Sequence, residues 1–303
     1  MLYETAQDWQ EAQHKRVALY GMSGLGKTRL SAMLREEGEW FHYSIDFRIG
    51  TRYMGEHIVD NFKFEAMRNP YLRRLLMSDS IYIASNISFH NLEPLSAYLG
   101  KPGDTELGGI PLSEYIRRQR QHRDAELAAT TDALLFIEKA HEIYGYRNFV
   151  CDTSGSLCEI IDPENPHDQT MAQISAEMLP VWICGTEAHL DLLARRFDRT
   201  PKPMYYSESF LTDIWERFLS ERDLAPEEVD PDEFIRYGFR ALLDHRLPRY
   251  RAMAARWGVT IEASAASAVR DPDDFNELIA DAIEQRRQGL EPGSADSALR
   301  AKS

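Results

Sequence analysis

The sequence predicts an α/β protein, a parallel sheet of about five strands with helices on both faces and long helical insertions. Three observations predict it. Short apolar runs recur at 16–20, 40–47, 148–152, 180–185 and 259–263, and they read as strands buried on both faces. Helical periodicity fills stretches between and after them, such as 187–197 and 271–287. The first run ends on a glycine-rich loop that opens a helix, giving strand, loop and helix within twenty-odd residues.

In chain order, residues 1–14 form an N-terminal extension. Arg-Val-Ala-Leu-Tyr at 16–20 is the first strand, and Lys27 to Glu36 is the helix, with Leu30, Met33 and Leu34 on its apolar side. The second strand, 40–47, follows Gly38 and closes near Asp46. A helical insertion at about 53–145 comes next, interrupted by a possible short strand at 81–84 and by a Gly- and Pro-rich loop from Gly100 to Pro111. The run 148–152 closes on Asp152 and Thr153-Ser154-Gly155-Ser156, and 180–185 leads into a helix ending near Phe197. A second insertion at about 205–257 precedes the last strand and a helix from Asp271 to Arg287. The core therefore spans 15–287, and the period-free tail 288–303 reads as disordered.

With 43% hydrophobic and 28% charged residues the composition is that of a globular protein, and no apolar run reaches the ~20 residues that span a bilayer. Residues 1–15 carry Glu4, Asp8, Glu11 and Lys15 and lack the pattern of a secretory leader, so the expected location is cytoplasmic. A net charge of −14 argues against broad nucleic-acid binding, which depends on Lys and Arg neutralising phosphates. Cys151, Cys158 and Cys184 form no C-x-x-C pair and read as reduced thiols, the first and third in the core.

Gly21-Met22-Ser23-Gly24-Leu25-Gly26-Lys27-Thr28 has the spacing of the Walker A phosphate loop. Glycines at these positions let backbone N–H groups turn inward around an anion, and the helix behind adds its positive dipole end. Lys27 is suited to the β- and γ-phosphates, and the Thr28 hydroxyl to Mg²⁺. Asp152, ending a buried strand, is the matching carboxylate for the metal, although an Asp before Thr-Ser-Gly also makes a good turn.

The form Gly-x-Ser-Gly-x-Gly-Lys-Thr resembles the P-loop kinases of the nucleotide, gluconate and shikimate kinase type. The likeness extends to 181–199, where a strand leads into a helix carrying Arg195, Arg196 and Arg199, and to the final strand and helix. The resemblance implies ATP with Mg²⁺, a lid formed by those arginines over the transferring phosphate, and phosphoryl transfer to a small acceptor: a nucleotide, a sugar, another metabolite or a modified base in DNA. It also implies that Asp46 binds or deprotonates the acceptor hydroxyl, unless it only caps a turn. Arg48, Arg52, Arg117 and Arg120 are candidate clamps for an anionic acceptor, with solvated surface arginines as the alternative. Tyr205, Tyr206 and Phe210 read as core, with packing on a base as the alternative.

Two other uses of the loop stay open. Asp152-Thr153-Ser154-Gly155 looks like the D-x-x-G switch of GTPases, but no Asn/Thr-Lys-x-Asp motif follows to read guanine. The loop also resembles those of signalling ATPases, yet Thr153 stands where these usually carry a second acid to activate water.

Overall fold

The structure, a computed structural model, describes residues 2–290. Its centre is an all-parallel sheet of β1 (Arg16–Tyr20), β2 (Trp40–Ser44), β3 (Asn148–Asp152), β4 (Leu179–Cys184) and β5 (Val259–Glu262), in the order β2-β3-β1-β4-β5. The register sets Leu19 of β1 beside Asp152 on one side and Val181 on the other. Val17, Leu19, Val150 and Val181 are fully buried, which is why these strands appear in the sequence as continuous apolar runs. Only the edge strand β5 alternates buried and half-buried positions.

Tertiary contacts divide the chain into two compact units. The first takes the residues up to Ile45, Thr130–Arg196 and those from Leu242 on, and it contains the whole sheet. The second takes Asp46–Ala129 and Phe197–Ala241.

In the sheet unit the N-terminal extension is a docked element. Thr5 and Asp8 form a reciprocal cap on the Ala6–Glu11 helix, and Trp9 is wholly buried against Trp40 and Phe275. Its indole donates to the Asn276 carbonyl at 3.0 Å. Burying such a ring stabilises the fold by roughly 2–3 kcal/mol. Cys151 and Cys158 are buried and Cys184 is half-buried, all as free thiols; burial pushes Cys158 up to about 12 and Cys184 up to about 11. The core cysteine pair is thus the first and second, where the sequence suggested the first and third.

The helical unit is built on the Gly55–Met67, Pro70–Met77, Glu93–Leu99 and Glu208–Arg222 helices together with parts of two long ones, Leu112–Glu142 and Pro231–Trp257. Its core is aromatic, with Phe234 edge-on to Trp215 at 4.8 Å and to Phe218 at 5.4 Å. Tyr205 and Tyr206 are buried there, as their core reading expected, whereas Phe210 is half-buried and stacks on Tyr206 at 6.0 Å.

Two expected elements differ. The strand at 81–84 is absent, and Tyr82 is 88% exposed; all five named strands belong to the other unit, so this short apolar run has none to pair with in its own. The second strand stops at Ser44 and the chain turns into the Ile45–Arg48 helix, so Asp46 lies in a helical first turn rather than at a strand end. Of the tail, 291–303 lie outside the described residues, while Gln288 caps the Pro272–Arg287 helix.

Candidate functional site

The phosphate loop joins β1 to the Lys27–Glu36 helix. At Gly21, φ is +135° and a Cβ would sit 2.6 Å from the Ile183 carbonyl, so no other residue fits without backbone movement. Gly26 stands at the N-cap with φ +100° and offers no side-chain cap, which leaves the first N–H groups of the helix to other acceptors. Lys27 is buried, and its Nζ donates to the carbonyls of Gly21 at 2.7 Å and Met22 at 3.3 Å, closing the loop on itself. Ser23, Gly24 and Thr28 are exposed. A glycine-rich loop, an uncapped helix start and Lys27 together form a donor set whose chemistry suits a phosphate group.

Asp152 closes β3 next to β1, and it is buried. His42 of β2 lies beside it, Nε2 to Oδ2 3.8 Å. Thr153 is buried too, its N–H and hydroxyl both donating to the Leu19 carbonyl at 3.1 and 2.9 Å. Among the described residues no group of three His, Cys, Asp or Glu could hold a metal alone. A Mg²⁺ at Asp152 would therefore draw its remaining ligands from a hydroxyl such as Thr28, phosphate oxygens and water, the usual donor set for this ion.

The Glu187–Arg199 helix lies against the phosphate loop. A Cβ on Gly24 would meet Leu193 at 2.7 Å, and Gly185 sits against Leu25. Arg195 and Arg196, two and three residues beyond Leu193, are exposed; Arg195 makes a loose pair with Asp191 at 3.9 Å. Arg199 falls in the helical unit.

The acceptor candidates also belong to the helical unit. Asp46 is on the Ile45–Arg48 helix, and Arg48 lies over the Tyr53 ring at 5.8 Å. Arg52 is in the wide helical turn Ile49–Tyr53. Arg117 forks onto Glu114 with two 2.7 Å bonds, and Arg120 forks onto Glu208 at 2.7 and 2.5 Å. Arg117, Arg118 and their charges hold the Glu114 carboxyl down at about 2. Both arginines thus carry their charges against carboxylates of the same unit. Arg117 does line a cavity of 760 Å³ with His57, Asn61, Phe64, Tyr98 and Arg118, whereas Arg120 does not. His122, on the same helix, is buried and stacks on Tyr205 at 4.8 Å.

One feature of the site escapes a motif-based reading. Arg246 of the Pro231–Trp257 helix is buried and donates from Nε to Glu159 at 2.8 Å and from Nη1 to the Gly155 carbonyl at 2.8 Å. Burial by itself would raise the Glu159 carboxyl, but hydrogen bonding from His245 and the charge of Arg246 outweigh it and hold it at about 2. The only trace in the sequence is that Arg246 occupies a helical row otherwise made of Leu242, Tyr250 and Met253.

No family model matches the chain, and no curated protein matches it. Among the described residues no helix is long and apolar enough to cross a membrane. Among solved structures the chain is similar to the shikimate kinase from Bacteroides thetaiotaomicron, with 16% identity over 91% of this chain and 99% of that one and a TM-score of 0.38. The five parallel strands and their flanking helices are consistent with a kinase-like P-loop fold.

Proposed function

We propose that this chain is an ATP-dependent phosphotransferase acting on a small-molecule or nucleotide-type acceptor. The observation that carries the reading is the pairing of the phosphate loop with Asp152 on the neighbouring strand, at the same ends of β1 and β3. The loop amides and Lys27 would orient the phosphates; Thr28, and Asp152 through water, would hold Mg²⁺, which supplies charge neutralisation. Arg195 and Arg196 follow the segment that touches the loop at Gly24, which supports a lid over the transferring group. Arg199, one helical turn on, is proposed for the same role. Asp46, two residues past the end of β2, is the carboxylate proposed to take the acceptor's proton, with Arg48, Arg52 and Arg117 available for an anionic acceptor.

Thr153 favours transfer over hydrolysis. Its hydroxyl is committed to the Leu19 carbonyl, and no acid stands there to activate water. Incubation with γ-labelled ATP and a panel of phosphorylatable metabolites tests the reading: label should leave on an organic acceptor, and release solely as inorganic phosphate across the panel would favour an ATPase switch instead.

A further inference from the structure

We propose that Arg246 is a positioning residue for the nucleotide site. Together with Glu159 and Tyr250 it holds the segment after β3, residues 153–159, against the phosphate loop, so that this segment responds to the terminal phosphate. The inference rests on the nucleotide-binding reading of the loop.

The first ground is convergence. Four polar side chains within two turns of the Pro231–Trp257 helix reach the same stretch of chain. Arg246 Nη1 and the Tyr250 hydroxyl both donate to the Gly155 carbonyl, at 2.8 and 2.5 Å. Arg249 donates from Nε to the Cys158 carbonyl and from Nη2 to that of Ile161, both at 2.9 Å. His245 Nε2 lies 3.2 Å from Glu159, whose other oxygen accepts from Arg246.

The second ground is what lies on the other side of that stretch. A Cβ on Gly155 would meet Ser23 Oγ at 2.7 Å and Ser23 N at 3.4 Å, so the segment touches the exposed crest of the phosphate loop. The Tyr250 hydroxyl is also 3.7 Å from the Met22 sulfur. While the Gly155 carbonyl accepts two hydrogen bonds, its N–H donates none among the described residues. It remains a donor for an anionic oxygen held at Ser23, on a residue whose carbonyl is held by two hydrogen bonds.

The third ground is that stability does not explain the choice of residue. A buried ion pair is often matched or exceeded by well-packed apolar side chains of similar volume. In this helical row such residues already stand at Leu242 and Met253. A guanidinium differs from them in being able to bridge Glu159 and Gly155 at once, with directions set by its planar fork.

The test uses the full chain as wild type, as the double variant Arg246→Met/Glu159→Leu, which removes both charges together, and as Tyr250→Phe, which removes one donor to Gly155 and keeps the ion pair. Calorimetry gives the affinity for ATP–Mg²⁺, γ-labelled ATP gives turnover, and hydrogen exchange follows the peptide 153–161 without nucleotide, with ADP and with a non-hydrolysable ATP analogue. In the wild type the analogue should slow exchange of this peptide more than ADP does. A folded double variant should bind ATP within about threefold of wild type, turn over at least about tenfold more slowly, and lose the analogue-specific protection. Tyr250→Phe should lose part of both. Retention of wild-type turnover and protection by a folded double variant overturns the proposal; so does the same retention in Tyr250→Phe if the double variant does not fold. Equal exchange with ADP and analogue in the wild type also overturns it. Absence of any ATP binding by the wild type would instead remove the nucleotide reading on which the proposal stands.

Discussion

A side chain at Gly21 faces two obstacles together, a φ of +135° that L-residues rarely adopt and a carbonyl 2.6 Å from where its Cβ would lie. Gly21→Ala should therefore cost on the order of 2 kcal/mol or more and weaken ATP binding with it, read as a lower denaturation midpoint and a weaker titration. An unchanged midpoint would mean that the loop has another shape. Gly21 to Thr28 could be identified from sequence because the whole motif lies in eight consecutive residues, each with a local reason to be there. Arg246 could not, since its partner Glu159 is 87 positions away and only the fold brings them together. Arg117 and Arg120 show the same limit: the row of arginines is legible in sequence, but the fork of Arg120 on Glu208, 88 positions away, is not.

The Glu187–Arg199 helix carries the choice between transfer and plain switching. Its buried Leu193 contacts the phosphate loop, while Arg195, Arg196 and Arg199 are exposed. Surface arginines near a helix end contribute roughly a few tenths of a kcal/mol, so single Arg→Ala changes should leave stability almost unaltered. If they form the lid, at least one should lower turnover about 10²-fold with little change in ATP affinity. Near-normal turnover in all three variants, measured with an acceptor in hand, would take the lid out of the mechanism. Strands were legible for a plain reason: burial on both faces makes them unbroken apolar runs bounded by polar residues. Their ends were less so, because Ile45 and Phe47 prolong the apolar character of β2 into a helix. The false strand at 81–84 had the right residues but falls in the unit without the sheet, which composition cannot reveal.

For the molecule as a whole, the buried Glu159 makes stability depend on acidity. Its folded pKa of about 2 lies below the usual carboxylate value of 4.5, so its contribution is fully present above about pH 4.5 and is lost as pH falls toward 2. Denaturant unfolding of the wild type and the Arg246→Met/Glu159→Leu variant at pH 7, 4.5, 3 and 2 should show the wild type losing more stability across that window; parallel losses would show that the pair adds no acid sensitivity of its own. The same ion pair lies under the segment that touches the phosphate loop, and nucleotide binding there is what every functional assignment above depends on. Titration of the full chain with ATP–Mg²⁺ and with GTP–Mg²⁺, beside Lys27→Ala, examines it. The wild type should bind ATP at least as well as GTP, gaining about 2.7 kcal/mol of stability at a hundredfold excess over Kd, and Lys27→Ala should stay folded and lose at least about tenfold in affinity. Equal binding by wild type and Lys27→Ala, or a stabilisation by GTP alone, would contradict the account.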